Sequence, residues 1–260
     1  MAYEFIALAR EGPVTTLTLN RPEVMNALHS PMHFEMAAAL DDFAADPEQW
    51  VAIITGAGER AFSAGNDLKW QAGGGELRTP PSGFAGLTAR FDLAKPLIAA
   101  VNGVAMGGGF EIALACDLII AAEGAVFALP EPKVGLAALA GGLHRLPRAI
   151  GLKRAMGMIL TARRVSAQEG LELGFVNEVV PASDLMAAAR RWAALITDCS
   201  PMSIRASKAA VLRGLDKPSL AQAITGQGKY PEVAALFRSD DFVEGPRAFA
   251  QKRAPNWTGR

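Results

Sequence analysis

The chain has 260 residues, half of them hydrophobic, with 26 lysines and arginines balanced by 26 aspartates and glutamates. This is the composition of a soluble globular protein large enough for one big core or two modest ones, and its zero formal charge gives no support to a nucleic-acid partner. Two cysteines, Cys116 and Cys199, are too few for a disulfide framework and favour a reducing, cytoplasmic setting; of the three histidines, His29 and His33 have helical spacing but lack the zincin signature, so no metal is expected, and no stretch reads as a signal peptide or membrane span.

In chain order, VTTLTL at 14–19 alternates like a strand and is closed by Asn20, Arg21 and Pro22. Residues 32–45 carry apolar positions at helical spacing, and VAIIT at 51–55 is a second strand. The loop at Ala64, Gly65 and Asn66 runs into a helix starting near Asn66 or Asp67. Residues 71–86 are rich in glycine and proline and predict a mobile loop, followed by a helix around 87–94. PLIAAV at 96–101 is a buried strand, 117–121 another, and 125–129 an extended segment delivering Pro130 and Glu131. Helices are expected at 141–150 and 152–160, with Ser166 and Glu169 forming a capping box. A last strand covers 175–180. Beyond Asp184 the chain turns helical, through 184–197, 201–213 and 231–253, predicting a helical region packed on the core or on a partner.

The central stretch is NGVAMGGGFEIALACD at 102–117. Glycines 107–109 let a ligand approach the backbone, and the first N–H groups of the following helix have no internal partners. Glu111 interrupts an apolar run in or near the first turn, where the helix end favours a carboxylate. Glu131 is the second informative carboxylate. Two glutamates from two strand exits can face one small molecule, one taking a proton from water and the other giving one to carbon; unpaired, either is more often a capping or solvated residue. Backbone N–H groups at the 64–66 and 107–108 turns could form an oxyanion hole. No serine or cysteine has a supporting base at a recognisable spacing, and neither a GxGxxG fingerprint nor a Walker lysine is present.

NRPEVMNAL at 20–28, AFSAGNDLK at 61–69, KPLIAAVNGVAMGGGFEIALACDLIIA at 95–121, FALPEPKVGLAALAGGLHRLPR at 127–148 and EGPRAFAQKRAPNW at 244–257 together resemble the enoyl-CoA hydratase/isomerase, or crotonase, superfamily over nearly the full length. The resemblance implies an α/β fold, a spiral of repeated β-β-α units over 1–195 carrying an acyl-CoA site, with a helical region at 196–260 for oligomerisation and site closure. It implies a trimer or hexamer, an acyl-CoA thioester as substrate, and no cofactor beyond the coenzyme A that the substrate carries. Glu111 and Glu131 stand at the two catalytic positions, and Asn66 and Gly108 at the oxyanion-hole positions. Asn66 departs from the usual alanine, a change a backbone donor survives. Arg21, Ala27, Leu28, Ala64, Lys69, Phe249 and Lys252 match the path of the CoA moiety. Leu139 replaces a glycine beside the attacking water. Trp70, Phe84, Leu87 and Phe110 are acyl-pocket walls or core residues. The implied activity is enoyl-CoA hydration. An isomerase, or a specialised dehydratase or lyase such as carnitinyl-CoA dehydratase, is the enzymatic alternative, and an inactive acyl-CoA-binding scaffold the non-enzymatic one.

Overall fold

The computed structural model describes residues 3–260. Two antiparallel strands, β1 (Ile6–Glu11) and β2 (Val14–Leu19), lead through a short 3-10 turn at Pro22–Val24 into helix α1 (Ser30–Ala45). Three similar units follow. The first is β3 (Val51–Gly56), β4 (Ala61–Ser63) and α2 (Leu68–Ala72); the second is β5 (Leu97–Val101), β6 (Val104–Met106) and α3 (Gly108–Ala115). The third is β7 (Leu118–Ala122), β8 (Val126–Ala128) and α4 (Gly142–Ile150). Each unit gives its first strand to a six-stranded sheet and its second to a four-stranded one, so the chain winds as a spiral.

α5 (Leu152–Thr161), β9 (Val165–Ser166), α6 (Ala167–Leu173) and β10 (Glu178–Val180) complete the sheets, ordered β1-β2-β3-β5-β7-β10 and β4-β6-β8-β9. The larger sheet is parallel from β2 onward. The central strands β3, β5 and β7 are covered on both faces and are near-continuous apolar runs, whereas β2 alternates buried and half-buried positions. On β3, Ala52 and Ile54 face the main core, which includes Met32, Leu40 and Phe43 of α1. Val51 and Ile53 face the other side. There α7 (Leu185–Thr197) lays Leu185, Ala188, Ala189 and Ala193.

Several expectations are corrected. β1 is a strand, and β4 and β6 are three-residue strands too short to show alternation. No helix forms at 87–94. Instead Phe84–Gly86 is a 3-10 turn with Ala85 and Gly86 at positive φ, and the Arg90 guanidinium takes the Gly86 carbonyl at 2.9 Å, so the chain curls back. Ser166 caps α6, but Glu169 pairs with Arg163 at 2.7 Å rather than closing the capping box. The expected strand at 175–180 is ladder-paired only over Glu178–Val180. After α8 (Pro201–Leu215) comes an unexpected short helix, α9 (Leu220–Gly226), capped by Ser219. The helix expected over 231–253 is two, α10 (Pro231–Leu236) and α11 (Asp240–Ala250). Ser239 breaks it and caps the second, accepting the Phe242 N–H at 3.2 Å. No helix of the described residues is long and apolar enough to cross a membrane.

Candidate active site

Each of the three central glycines touches a different neighbour, which explains why none carries a side chain. At Gly107, with φ +53°, a Cβ would lie 2.7 Å from Glu131 Oε1. At Gly108 it would lie 2.5 Å from the Phe84 ring, and at Gly109 it would collide with the Ser63 carbonyl. Gly65 completes the cluster: its φ is +87°, and a Cβ there would lie 2.6 Å from the Met106 carbonyl and 2.8 Å from the Gly108 nitrogen. The 64–66 turn and the start of α3 are therefore in direct backbone contact.

Two N–H groups at this contact stay free. Residues 28 and 66 form an isolated parallel bridge in which Leu28 uses both its groups, donating to the Gly65 carbonyl at 2.7 Å and accepting from Asp67 at 2.8 Å. In that geometry the Asn66 N–H points away from residue 28, and it donates to no backbone carbonyl among the described residues. Gly108 is the first residue of α3, and the first intrahelical bond runs from Glu111 to Gly107, so the Gly108 N–H is also unpaired. The Asn66 side chain turns outward to Gln71 Oε1 at 2.9 Å.

Glu111 is 3 % exposed and lies between two helix N-termini, in the first turn of α3 and at the start of α4. Its Oε1 accepts the Gly142 N–H at 2.8 Å, and the Ala140 amide also favours the charged form. Burial outweighs both amides, and the charge of Glu131 adds to it, pushing the Glu111 carboxyl up to about 7. Glu131 enters from β8 through Pro130 into a short 3-10 turn at Glu131–Val134. Burial raises its pKa as well, and its Oε2 is buried with no hydrogen-bond partner among the described residues. Two carboxyl groups whose pKa values burial raises thus lie near two backbone N–H groups that are unpaired among the described residues.

The upward shift of Glu111 predicts a pH effect on stability. A carboxyl with a folded pKa of about 7 against 4.5 unfolded contributes fully below 4.5, and that contribution is lost as pH rises through 7. Relative to Glu111→Gln, which does not titrate, wild-type unfolding free energy should fall by on the order of 3 kcal/mol between about pH 4 and pH 8. Urea denaturation of both proteins across that range checks it.

The loops are laced by side chains that sequence reasoning passed over. Asn26 is fully buried at positive φ; its Oδ1 accepts the Arg21 N–H at 3.0 Å, and its Nδ2 donates to the Ala57 and Ala61 carbonyls at 3.0 and 2.8 Å. The Ser63 hydroxyl donates to the Asn26 carbonyl at 2.8 Å and accepts the Gly65 N–H at 3.1 Å. Asn26→Ala removes three bonds to partly or fully buried backbone groups and should cost about 1–3 kcal/mol in a denaturant titration.

Of the residues matched to the CoA path, Arg21 is committed within the chain. Its Nη1 donates to the Ala27 carbonyl at 2.6 Å and pairs with Asp67 at 2.9 Å, tying the 20–28 loop to the cap of α2. Ala27 and Leu28 are buried. The Ala64 N–H bonds the Met25 carbonyl, and Lys69 is exposed on α2. Phe249 is 87 % exposed near the end of α11, and Lys252 lies beyond that helix at positive φ. The wall residues divide. Phe110 is a core residue, packed with Phe127 and Phe175 at 5.2 and 5.1 Å, and Leu87 also belongs to the core. Phe84 lies on Gly108, and Trp70 packs edge-on to His29 at 5.6 Å. Leu139 is 81 % exposed, so its side chain encloses nothing within one chain.

This spiral, with a buried carboxylate at a glycine-lined helix start, defines a class. The profile described as enoyl-CoA hydratase/isomerase matches residues 9–260, and the chain belongs to that family. It is 46 % identical over 261 residues to a carnitinyl-CoA dehydratase of Salmonella typhi, with 99 % of each chain covered. It is 37 % identical to an enoyl-CoA hydratase of Mycobacterium tuberculosis H37Rv of solved structure, covering 98 % of this chain and 99 % of that one with a TM-score of 0.92. A carnitinyl-CoA hydratase from Mycobacterium avium matches at 40 % identity, 98 % and 99 % coverage and a TM-score of 0.78.

Proposed function

We propose that the chain adds water reversibly across the double bond of a 2-enoyl-CoA thioester to give the 3-hydroxyacyl-CoA. The observation that carries this reading is Glu111: a buried carboxyl in the first turn of α3 that accepts the Gly142 N–H at 2.8 Å, with burial and the nearby charge of Glu131 pushing it up to about 7. Near neutral pH such a group is part ionised and suited to take a proton from water. As the water oxygen bonds the β-carbon, the π electrons move to the thioester oxygen. The free N–H groups of Asn66 and Gly108 meet the resulting negative charge. Glu131, its pKa raised, then gives a proton to the α-carbon; the reverse sequence is dehydration. Hydration needs one proton shared by the Glu111–Glu131 pair, so it should fall on the alkaline side as the pair loses that last proton through about pH 7. The reading needs no cofactor beyond the CoA of the substrate.

The 46 % identity over almost the whole chain favours a second, narrower reading: dehydration of a 3-hydroxyacyl-CoA whose acyl group is carnitinyl. A panel of enoyl- and 3-hydroxyacyl-CoA thioesters, carnitinyl-CoA included, read by mass and NMR, separates the outcomes. A gain or loss of one water supports hydration or dehydration, a double bond moved at constant mass supports isomerisation, and no turnover of any thioester counts against an enzyme of this kind.

Assembly is part of the proposal. Val211, Leu215, Leu220, Ile224, Phe237 and Phe249 are each more than half exposed on the C-terminal helices and their immediate flanks, more apolar surface than a free helical region leaves in water. Sedimentation at micromolar concentration should show a trimer or a multiple of it; a persistent monomer that turns over substrate would contradict this.

A further inference from the structure

The Phe84 ring rests on Gly108 so closely that one added carbon would meet it. The ring's position depends on a turn that alanine disfavours. Ala85 sits at φ +54°, and Gly86 follows at +60°, pressed onto Ala37 of α1. A turn of this kind persists only when its surroundings over-determine it. Here two side chains do so. Thr88 Oγ1 accepts the Phe84 N–H at 3.0 Å, and His33 Nδ1 accepts the Ala85 N–H at 3.0 Å. The Thr88 carbonyl in turn receives Arg145 Nη2 at 2.8 Å, joining the turn to α4, whose first residue holds Glu111.

His33 is fully buried on α1, and its ring also packs against Phe84 at 4.3 Å. To accept the Ala85 N–H it must be neutral with the proton on Nε2. Burial keeps it so, lowering its pKa to about 4. One histidine therefore supports Phe84 twice, through the backbone beside it and through ring contact, and Phe84 lies one residue contact from an oxyanion donor.

Resting on the thioester site proposed above, we propose that His33 is a positioning residue that holds the Phe84 ring against Gly108 and so limits how long an acyl chain the site accepts. Without the acceptor, Ala85 relaxes from positive φ, the ring leaves Gly108, and the space beside the thioester deepens.

Binding of two saturated thioesters, butyryl-CoA and decanoyl-CoA, measured by calorimetry on the full-length protein, tests this without needing turnover. His33→Leu removes the acceptor and should shift the affinity ratio toward decanoyl-CoA by about fivefold or more. His33→Asn keeps an oxygen near the position of Nδ1 and should hold the ratio within about twofold of wild type. Thr88→Val frees the Phe84 N–H while keeping side-chain shape; it should shift the ratio the same way and replaces His33→Leu if that variant does not fold. An unchanged ratio in folded His33→Leu or Thr88→Val, or a shift in His33→Asn equal to that in His33→Leu, overturns the proposal. Wild-type binding of both thioesters without any hydration or dehydration would overturn the hydratase reading while leaving the ratio readable; wild type binding neither overturns both.

Discussion

Glu131→Gln and Glu111→Gln should each lower hydration turnover by about 10²–10⁴-fold, the usual worth of a positioned acid or base, while CoA-thioester binding stays close to wild type. The substitutions keep size and remove the proton that moves. The two need not fail alike. Glu111 Oε1 accepts the Gly142 N–H at 2.8 Å, a bond that a glutamine carbonyl oxygen can keep while basicity is lost. Glu131 has an unpartnered Oε2, so its amide meets no competing donor within the chain. Because Glu131 is the proposed donor to the α-carbon, exchange of the α-proton with solvent should depend most on Glu131. Near-normal hydration in Glu111→Gln, with only double-bond migration lost in Glu131→Gln, would favour an isomerase. Near-normal rates in both would leave the two-carboxylate mechanism without support.

Gly108→Ala should cost about 10²–10³-fold in turnover, the loss seen when an oxyanion donor is misplaced. The expectation from sequence is that a side chain at 108 crowds the thioester. In the structure the added carbon meets the Phe84 ring first, at 2.5 Å, so either the ring or the backbone carrying the N–H must move. Phe84 is backed by His33 and has little room to yield. Asn66→Ala should keep most of the activity, because its donor is backbone and its side chain reaches only the exposed Gln71. Equal and mild effects of the two changes would argue against an oxyanion hole in this place.

The parts of the site legible in the sequence are those with a local signature. Glu111 stands out as a carboxylate in an apolar helix after three glycines, and Glu131 as one delivered by a strand and a proline. The spiral is partly legible because β3, β5 and β7 are apolar runs of ordinary length. Their partners β4 and β6 are three residues each and have no periodicity to read. The lacing by Asn26, Ser63 and His33 is not legible, because a side chain bonding a distant carbonyl or N–H leaves no pattern. Ser63 reads as an ordinary serine, and His33 only as the second of two histidines at helical spacing. Phe110 is ambiguous for a different reason: a phenylalanine beside a site residue is equally suited to wall or core, and only its packing on Phe127 and Phe175 decides for the core. The helical prediction at 87–94 fails because positive φ at Ala85, a non-glycine, is imposed by α1 and Thr88 rather than by local preference.

The most direct test is to incubate crotonyl-CoA with the wild-type protein in ¹⁸O-labelled, deuterated water and analyse the product by mass spectrometry and NMR. The account predicts a 3-hydroxybutyryl-CoA carrying the labelled oxygen on the β-carbon and one deuterium on the α-carbon, formed far more slowly by Glu111→Gln and Glu131→Gln. Deuterium entering the thioester without the labelled oxygen, or label uptake equal in wild type and both variants, would contradict it.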